Sequence, residues 1–315
     1  TSQMEISNMV FGVDERTERF TRIDSSVKTI TKTRNNYAGF VQRTFEADKL
    51  SLTPGLRYDY NSSYKDSTNP RLSTVYKLSD EIKLSANVGT AFRAPTFEDL
   101  YSPYNSWPAS MWGNAGDTQG NENVKPEKSV GTDLGITYDI KNILLSKITL
   151  FYTSVEDLIE WKNVGTTTYD KWRPSNVGKA FSRGVEFELE NNSIKNLTQN
   201  LNYTFLESYG NETGTYKTLQ YTPKHRLNYG LNYSAPLEIK TKLGVEYTHK
   251  QIWEDYKYHE IPGYTLTNLR ISRKILQSEV YFSCENIFDR RYVSRENYPL
   301  PGRTFSGGIN LYLWD

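Results

Sequence analysis

The chain has 315 residues, a net charge of +1 and a mean hydropathy of −0.68, with 37% hydrophobic residues. No apolar run reaches the roughly 18 residues of a membrane helix, so that mode of spanning is excluded. The neutral balance gives no electrostatic reason to expect a nucleic-acid partner, and Cys284, the only cysteine, excludes an intrachain disulfide.

Strand-like alternation runs from Gln3 to Arg16, and a charged Thr/Lys/Arg-rich loop is expected from Thr17 to Thr33. The run Arg34 to Glu46 turns at Ala47-Asp48 into a clean strand, in which Leu50, Leu52, Leu56, Tyr58 and Tyr60 share one face. Strands Pro70 to Leu78 and Ile82 to Arg93 follow, then a loop of roughly thirty residues, which is unusual in length and expected to be functional. Beyond it Val130, Leu134, Ile136 and Tyr138 share a face of the next strand, and a long strand covers Ile143 to Glu160. The rhythm continues through Val185, Phe187 and Leu189, then Leu201, Tyr203 and Phe205, then Leu227 to Tyr233 and Leu243 to Tyr247, and ends in the strand of Phe305, Ile309, Leu311 and Leu313.

This gives about fourteen strands, an even count that puts both ends at the periplasmic rim, with connections alternating between short and long. The longer loops, 17 to 33, 94 to 126, 161 to 173, 210 to 221, 254 to 262 and 288 to 302, therefore fall on one rim. The 24 Tyr, 13 Phe and 6 Trp fit the aromatic girdles of a transmembrane antiparallel β-barrel, whose outward face is apolar and whose lumen is polar. Lys or Arg at mid-membrane on the lipid face costs about 2 to 4 kcal/mol, and the clean strands carry none there. In Arg34 to Glu46 and Tyr264 to Lys274 the apolar parity breaks, and a bulge is expected in each. A soluble β-sandwich or propeller has no use for the alternating loop lengths. The period-two series Glu186, Glu188, Glu190 lines one face, as a polar lumen would.

Five groups of motifs stand out along the chain. They are Gly89-Thr-Ala-Phe92-Arg93-Ala94-Pro95 with Asp99-Leu100-Tyr101, Gly120-Asn121 with Val124-Lys125-Pro126-Glu127-Lys128-Ser129, Asn176-Val-Gly178-Lys179 with Gly184-Val185-Glu186, Tyr221-Thr-Pro223-Lys224-His225-Arg226-Leu227, and Asn286-Ile-Phe288-Asp289 with Tyr292 and Tyr298-Pro299-Leu-Pro301-Gly302-Arg303. Together they resemble the motifs of the TonB-dependent outer-membrane receptors and run in that family's order across nearly the whole chain. Gly308, Leu311 and Leu313 before Trp314 are similar to the signal read by barrel-assembly machinery.

The resemblance implies the C-terminal barrel portion, residues 1 to 315, of an outer-membrane transporter importing a ferric siderophore or cobalamin with energy from the TonB complex. In that family a barrel of about 22 strands holds a plug. The plug, the TonB box and about eight strands do not occur in this sequence, which starts at Thr1 without a methionine or leader pattern and so reads as cut from something longer. The implied partners are outer-membrane lipid, the plug with the remaining strands on the same or a second polypeptide, and the TonB complex through that plug. No cofactor is expected, since a transported ligand brings its own iron or cobalt.

Ligand-binding candidates are Arg93, on a lumenal or rim position, and the loop aromatics Tyr101, Tyr104, Trp107, Trp112, Trp161, Tyr169, Trp172, Trp253, Tyr256 and Tyr258, which could stack on a flat chelate or macrocycle. The competing role for Arg93 is a plug or wall salt bridge, and for the aromatics the outer girdle. No histidine lies between the motifs around Phe92 and Gly120, which places haem below cobalamin and siderophores. Only His225, His249 and His259 are available, so no metal site is expected, and no enzyme motif is found. Two other functions remain open: a self-contained passive channel of about fourteen strands, and a surface adhesin or phage or bacteriocin receptor.

Overall fold

The computed structural model describes residues 2–6, 8–23, 29–176, 178–211, 215–254 and 258–312. Their main feature is one antiparallel meander in which each strand bonds to the next in sequence. It runs through Ser2–Ile6, Met9–Ile23, Thr29–Arg43, Leu50–Asn61, Ser67–Lys77, Ile82–Arg93, Glu127–Ile140, Leu144–Glu156, Lys179–Ile194, Leu197–Asn211, His225–Ala235, Ile239–Thr248, Tyr264–Ile275, Ser278–Glu285 and Thr304–Leu311. The short pieces Phe45–Ala47 and Tyr216–Thr218 extend this sheet at its margins. Among the described residues, Ser2–Ile6 pairs only with Met9–Val13 and Thr304–Leu311 only with Ser278–Glu285, so the sheet is an open arc.

Connections alternate as expected. Four of the short ones place Asn or Asp in the left-handed region, where a side-chain amide or carboxylate can satisfy the turn locally: Asn8 at φ 63°, Asp48 at 51°, Asn142 at 63° and Asn196 at 63°; Leu237, Glu238 and Leu276 take that region in two others. The long ones all lie on the opposite rim, the outer one.

The two faces follow from the register. Val41 lies opposite Leu56, Val88 opposite Thr132, and Leu134 opposite Leu150, all on the outward face, with Leu134 57% and Leu150 51% exposed. On the other face the wall pairs charge with charge. Arg57 reaches Asp59 at 2.7 Å and Asp14 at 3.4 Å, and Lys147 reaches Glu188 at 3.4 Å. The apolar face is therefore the lipid-facing side of a barrel wall, and Glu186, Glu188 and Glu190 line its lumen as expected.

Four expectations change. The run from Gln3 to Arg16 is two strands, because Asn8 turns the chain between Ile6 and Met9, so the wall gains a fifteenth, five-residue strand and the even count does not hold. Residues 17–23 and 29–33 are not loop: they pair from Thr17↔Asn35 to Ile23↔Thr29, lifting the hairpin above its neighbours. Threonines and charges lie on both faces there, and backbone pairing continues without any hydropathy period. Neither expected bulge is present, since the register is unbroken on both sides of Tyr264–Ile275. At Thr44, Val41↔Leu56 and Phe45↔Leu52 keep one register, and the gap between them faces Pro54, which has no N–H to give. Finally, the Ile143 to Glu160 run is broken at Asp157, φ 58°, and Ile159–Asn163 turns off into a separate sheet.

Candidate functional site

Two loop assemblies cover the outer rim. The first joins residues 94–126 to residues 157–178. Thr96 caps the short helix Phe97–Tyr101 through a capping box in which its hydroxyl accepts from the Asp99 N–H at 3.0 Å, and the Asp99 carboxylate accepts from the Thr96 N–H at 2.9 Å. The other Asp99 oxygen accepts from Trp161 Nε1 at 3.2 Å, which ties the first loop to the second. A four-stranded sheet completes the joint. Within it Ile159–Asn163 pairs with Tyr169–Asn176, which runs parallel to Ala115–Thr118, and that strand pairs with Asn105–Trp107.

Beneath that sheet lies a hydrophobic cluster of Leu100, Val124 and Ile159, with Tyr101 packed against it. Two glycines permit the close approach: a Cβ on Gly120 would stand 2.6 Å from the Ser102 nitrogen, and one on Gly116 2.5 Å from Trp107 Cζ2. The asparagines act as staples. Asn121 Nδ2 donates to the Pro174 carbonyl at 3.0 Å, while Asn176 accepts from the Lys125 N–H at 2.8 Å and donates to the Lys125 and Asp157 carbonyls at 2.9 and 2.8 Å.

The tall hairpin holds this layer from the side. Arg34, 8% exposed, donates to the Pro95 carbonyl at 2.8 Å and to Glu18 at 2.6 Å, and its guanidinium lies 4.5 Å from the Phe97 ring. Phe20 stacks on Phe97 at 5.4 Å, Lys32 sits 4.4 Å over the Tyr101 ring, and Arg22 pairs with Glu98. A lumenal cavity of about 450 Å³, lined by Arg16, Glu18, Arg34, Arg57, Asp59 and Tyr64, opens below. A second cavity of about 440 Å³ lies within the layer, bounded by Asp117, Thr166, Tyr169 and Lys171.

The structure brings together seven of the expected ligand residues here, though not all as free surface. Arg93 is committed to Glu127 on the adjacent strand, with Nε to Oε2 at 2.6 Å, and Glu127 also accepts from the Ile159 N–H at 2.8 Å. Tyr101 packs into the cluster and Trp161 is held by Asp99. Trp107 covers Gly116 and donates to the Asn114 carbonyl at 3.1 Å. Tyr104, 53% exposed, Tyr169 and Trp172, 36% exposed, face outward or into the layer's cavity. Hydrogen bonding to Tyr104, then burial, then the bond to Asp117, pushes the Tyr169 phenol up to about 12. Asp117 itself pairs with Arg173 at 2.5 Å. Trp112 ends the short helix Ala109–Trp112, and its side chain lies outside the described residues.

The second assembly gathers residues 215–224, 249–254, 258–263 and 286–303. Gln251–Glu254 and Tyr258–Ile261 form a hairpin in which Trp253 stacks on His259 at 4.6 Å. Among the described residues, buried Trp253 Nε1 has no hydrogen-bond partner, an open donor of a kind folded proteins rarely leave. The Tyr221 N–H donates to the Ile252 carbonyl at 2.9 Å, and Arg295 lies 5.5 Å over the Tyr221 ring. Asn286 fastens the last loop, accepting from the Arg290 N–H at 2.8 Å and donating to its carbonyl at 2.9 Å. Tyr256 lies outside the described residues, as do Leu313, Trp314 and the side chain of Tyr258.

Sequence reasoning missed Phe20, Arg34, Phe97 and Asp117. The hairpin that carries Phe20 and Arg34 left no period-two hydropathy signal, since threonines and charges fall on both of its faces.

Residues 8–287 match the family model of the TonB dependent receptor-like β-barrel. The vitamin B12 transporter BtuB of Photobacterium profundum is 28% identical over 275 residues, covering 86% of this chain and 42% of that protein. The ferric enterobactin receptor of Pseudomonas aeruginosa is 27% identical over 297 residues, covering 81% of this chain and 39% of the receptor. Among solved structures, a mutant of the P. aeruginosa ferric enterobactin receptor superposes with a TM-score of 0.81 at 20% identity, covering 96% of this chain and 50% of that one. The siderophore receptor PirA of Acinetobacter baumannii gives 0.81 at 20%, covering 98% and 52%. At that identity the likeness shows the fold, and the chain spans about half the length of the relatives it matches. Family match, membrane-facing wall and loop-covered rim agree, and the chain belongs to the TonB-dependent receptor β-barrel family of the bacterial outer membrane.

Proposed function

We propose that this chain is the C-terminal part of the barrel of a receptor that captures a ferric siderophore or cobalamin at its loop layer and imports it with TonB-derived energy. The observation that carries this reading is the folded layer of two loops set over a lumenal cavity, with Tyr104, Tyr169 and Trp172 on or within it. Aromatic rings held in a fixed layer suit a bulky flat ligand, because little side-chain freedom is lost on binding. In the second assembly the unpaired Trp253 N–H supports the reading as a donor awaiting an acceptor. The relatives named above are receptors for both ligand classes, which leaves the choice between them to the loops. The plug, the remaining strands and the TonB contact belong to this proposal. The two edge strands support it, since unpaired backbone groups in hydrocarbon cost several kcal/mol each, and further strands would satisfy them. The same edges weigh against a self-contained channel.

The test is tryptophan fluorescence of the purified receptor titrated with ferric enterobactin and with cyanocobalamin, followed by uptake in cells with and without TonB. Saturable quenching by one ligand and TonB-dependent uptake of it are expected. Discrete, ligand-independent conductance in planar bilayers with no saturable binding would replace the reading by a passive channel.

A further inference from the structure

Two histidines at the outer ends of neighbouring strands have no part in that reading. His225 opens the His225–Ala235 strand, and His249 directly follows Thr248 at the end of Ile239–Thr248. They face each other across the pair, the His249 N–H donating to the His225 carbonyl at 2.9 Å. Their ring centroids are 5.1 Å apart, with the planes at 88°.

Each ring is steadied from behind by a tyrosine. Tyr203 Oη lies 2.9 Å from His225 Nδ1, and Tyr247 Oη 2.9 Å from His249 Nδ1. With the ring proton on Nδ1 and donated to the tyrosine, Nε2 keeps its lone pair, and a bond on the far nitrogen is what fixes a ligating imidazole in that tautomer. The separation fits as well: two imidazoles bound at about 2.0 to 2.1 Å to one tetrahedral ion have centroids about 5 Å apart.

We propose that His225 and His249 form a two-histidine site for a borderline divalent transition metal, of which Cu²⁺ binds most tightly and Ni²⁺ and Zn²⁺ more weakly. The nearby carboxylates are already engaged, Glu260 with Lys250 at 2.7 Å and Glu207 with Arg183 at 2.9 Å and Lys224 at 3.7 Å. Among the described residues no group of three or more His, Cys, Asp or Glu forms a metal cluster, so water completes the coordination. The site is a weak, exchangeable one at the outer surface. It departs from the sequence expectation of no metal site, because the two histidines are far apart in sequence and meet only through strand register.

Cu²⁺ alone is the probe, titrated into the whole receptor in detergent and followed by electron paramagnetic resonance. One ion per receptor, with splitting from two equivalent nitrogens, is expected. His249→Gln, outside any motif, should remove that signal and weaken binding by roughly tenfold or more, whereas Tyr247→Phe should weaken it less and His259→Gln not at all. Unchanged far-ultraviolet circular dichroism and heat-resistant gel mobility would show that the variants fold. Wild-type-like Cu²⁺ binding by His249→Gln, or the absence of a two-nitrogen signal in the wild type, would overturn the site.

Discussion

Leu150 in the strand wall is 51% exposed, whereas Leu100 in the loop layer is 1% exposed. The wall turns its apolar side chains outward one by one, and lipid covers each of them independently. The layer turns its few apolar side chains inward, onto Leu100, Val124 and Ile159, and stands in water like a small soluble domain built on its own short sheet. One chain therefore folds against two solvents. A substitution that is harmless in one region should be costly in the other, which gives a direct way to break the comparison.

The largest effect should come from Leu100→Ala, which removes the centre of the cluster at a cost of about 2 to 5 kcal/mol. The layer should loosen alone: hydrogen exchange across residues 97–124 should accelerate while the wall amides keep their protection. Equal acceleration in both would mean that wall and layer form one cooperative unit. In the wall, Leu150→Arg should cost about 2 to 4 kcal/mol in folding into lipid bilayers and leave the loop amides unchanged. A smaller cost in bilayers would mean that this face is not lipid-exposed.

Arg34→Ala comes next. It takes the charged donor from the Pro95 carbonyl and from Glu18 at about 1.5 to 3 kcal/mol, and should make residues 94–126 sensitive to protease with the strands intact. The smallest effect sharpens the electrostatics of the layer. The Tyr169 phenol holds its proton to about 12, above the ordinary value of 10.0, so its contribution is present in full below pH 10 and is lost as pH rises through 12. Tyr169→Phe should remove one late-ionising phenol from the ultraviolet titration and slightly lower loop protection at neutral pH, where the phenol's contribution is present in full.

The wall was legible because lipid imposes its rule residue by residue, so period two is written in the clean strands from Leu50 onward, though not in Tyr264–Ile275. It faded where the solvent changed. Above the membrane the 17–33 segment carries polar residues on both faces, so strand and loop look alike in sequence, and only the partner register Thr17↔Asn35 to Ile23↔Thr29 distinguishes them. The apparent parity break in Arg34 to Glu46 comes from Phe40, which lies opposite Arg57 on the lumenal face while Tyr37, Val41 and Phe45 keep the outward one, and only the partner strand shows this.

The family motifs were legible as words but not as roles. Gly120, Asn121, Asn176 and Asn286 proved to be the residues that fasten loops to one another and to the wall. Of the candidate aromatics, Tyr101, Trp107 and Trp161 are drawn into packing through partners that lie as far away in sequence as Asp99 is from Trp161. Residue type alone could not separate these from the outward-facing Tyr104 and Trp172.

The parallel pair of Ala115–Thr118 with Tyr169–Asn176 has a kinetic consequence. Its partners are separated in the chain by the whole Glu127–Ile140 and Leu144–Glu156 hairpin, and a parallel register leaves no tight turn from which to zip. Closing so long a loop is slow unless something else has already brought its ends together. The hairpin does so, because its two strands deliver both loops to the same height on the rim. The layer should therefore join only once this hairpin has paired, and an assembly intermediate stalled before that step would display the two loops unjoined and open to protease.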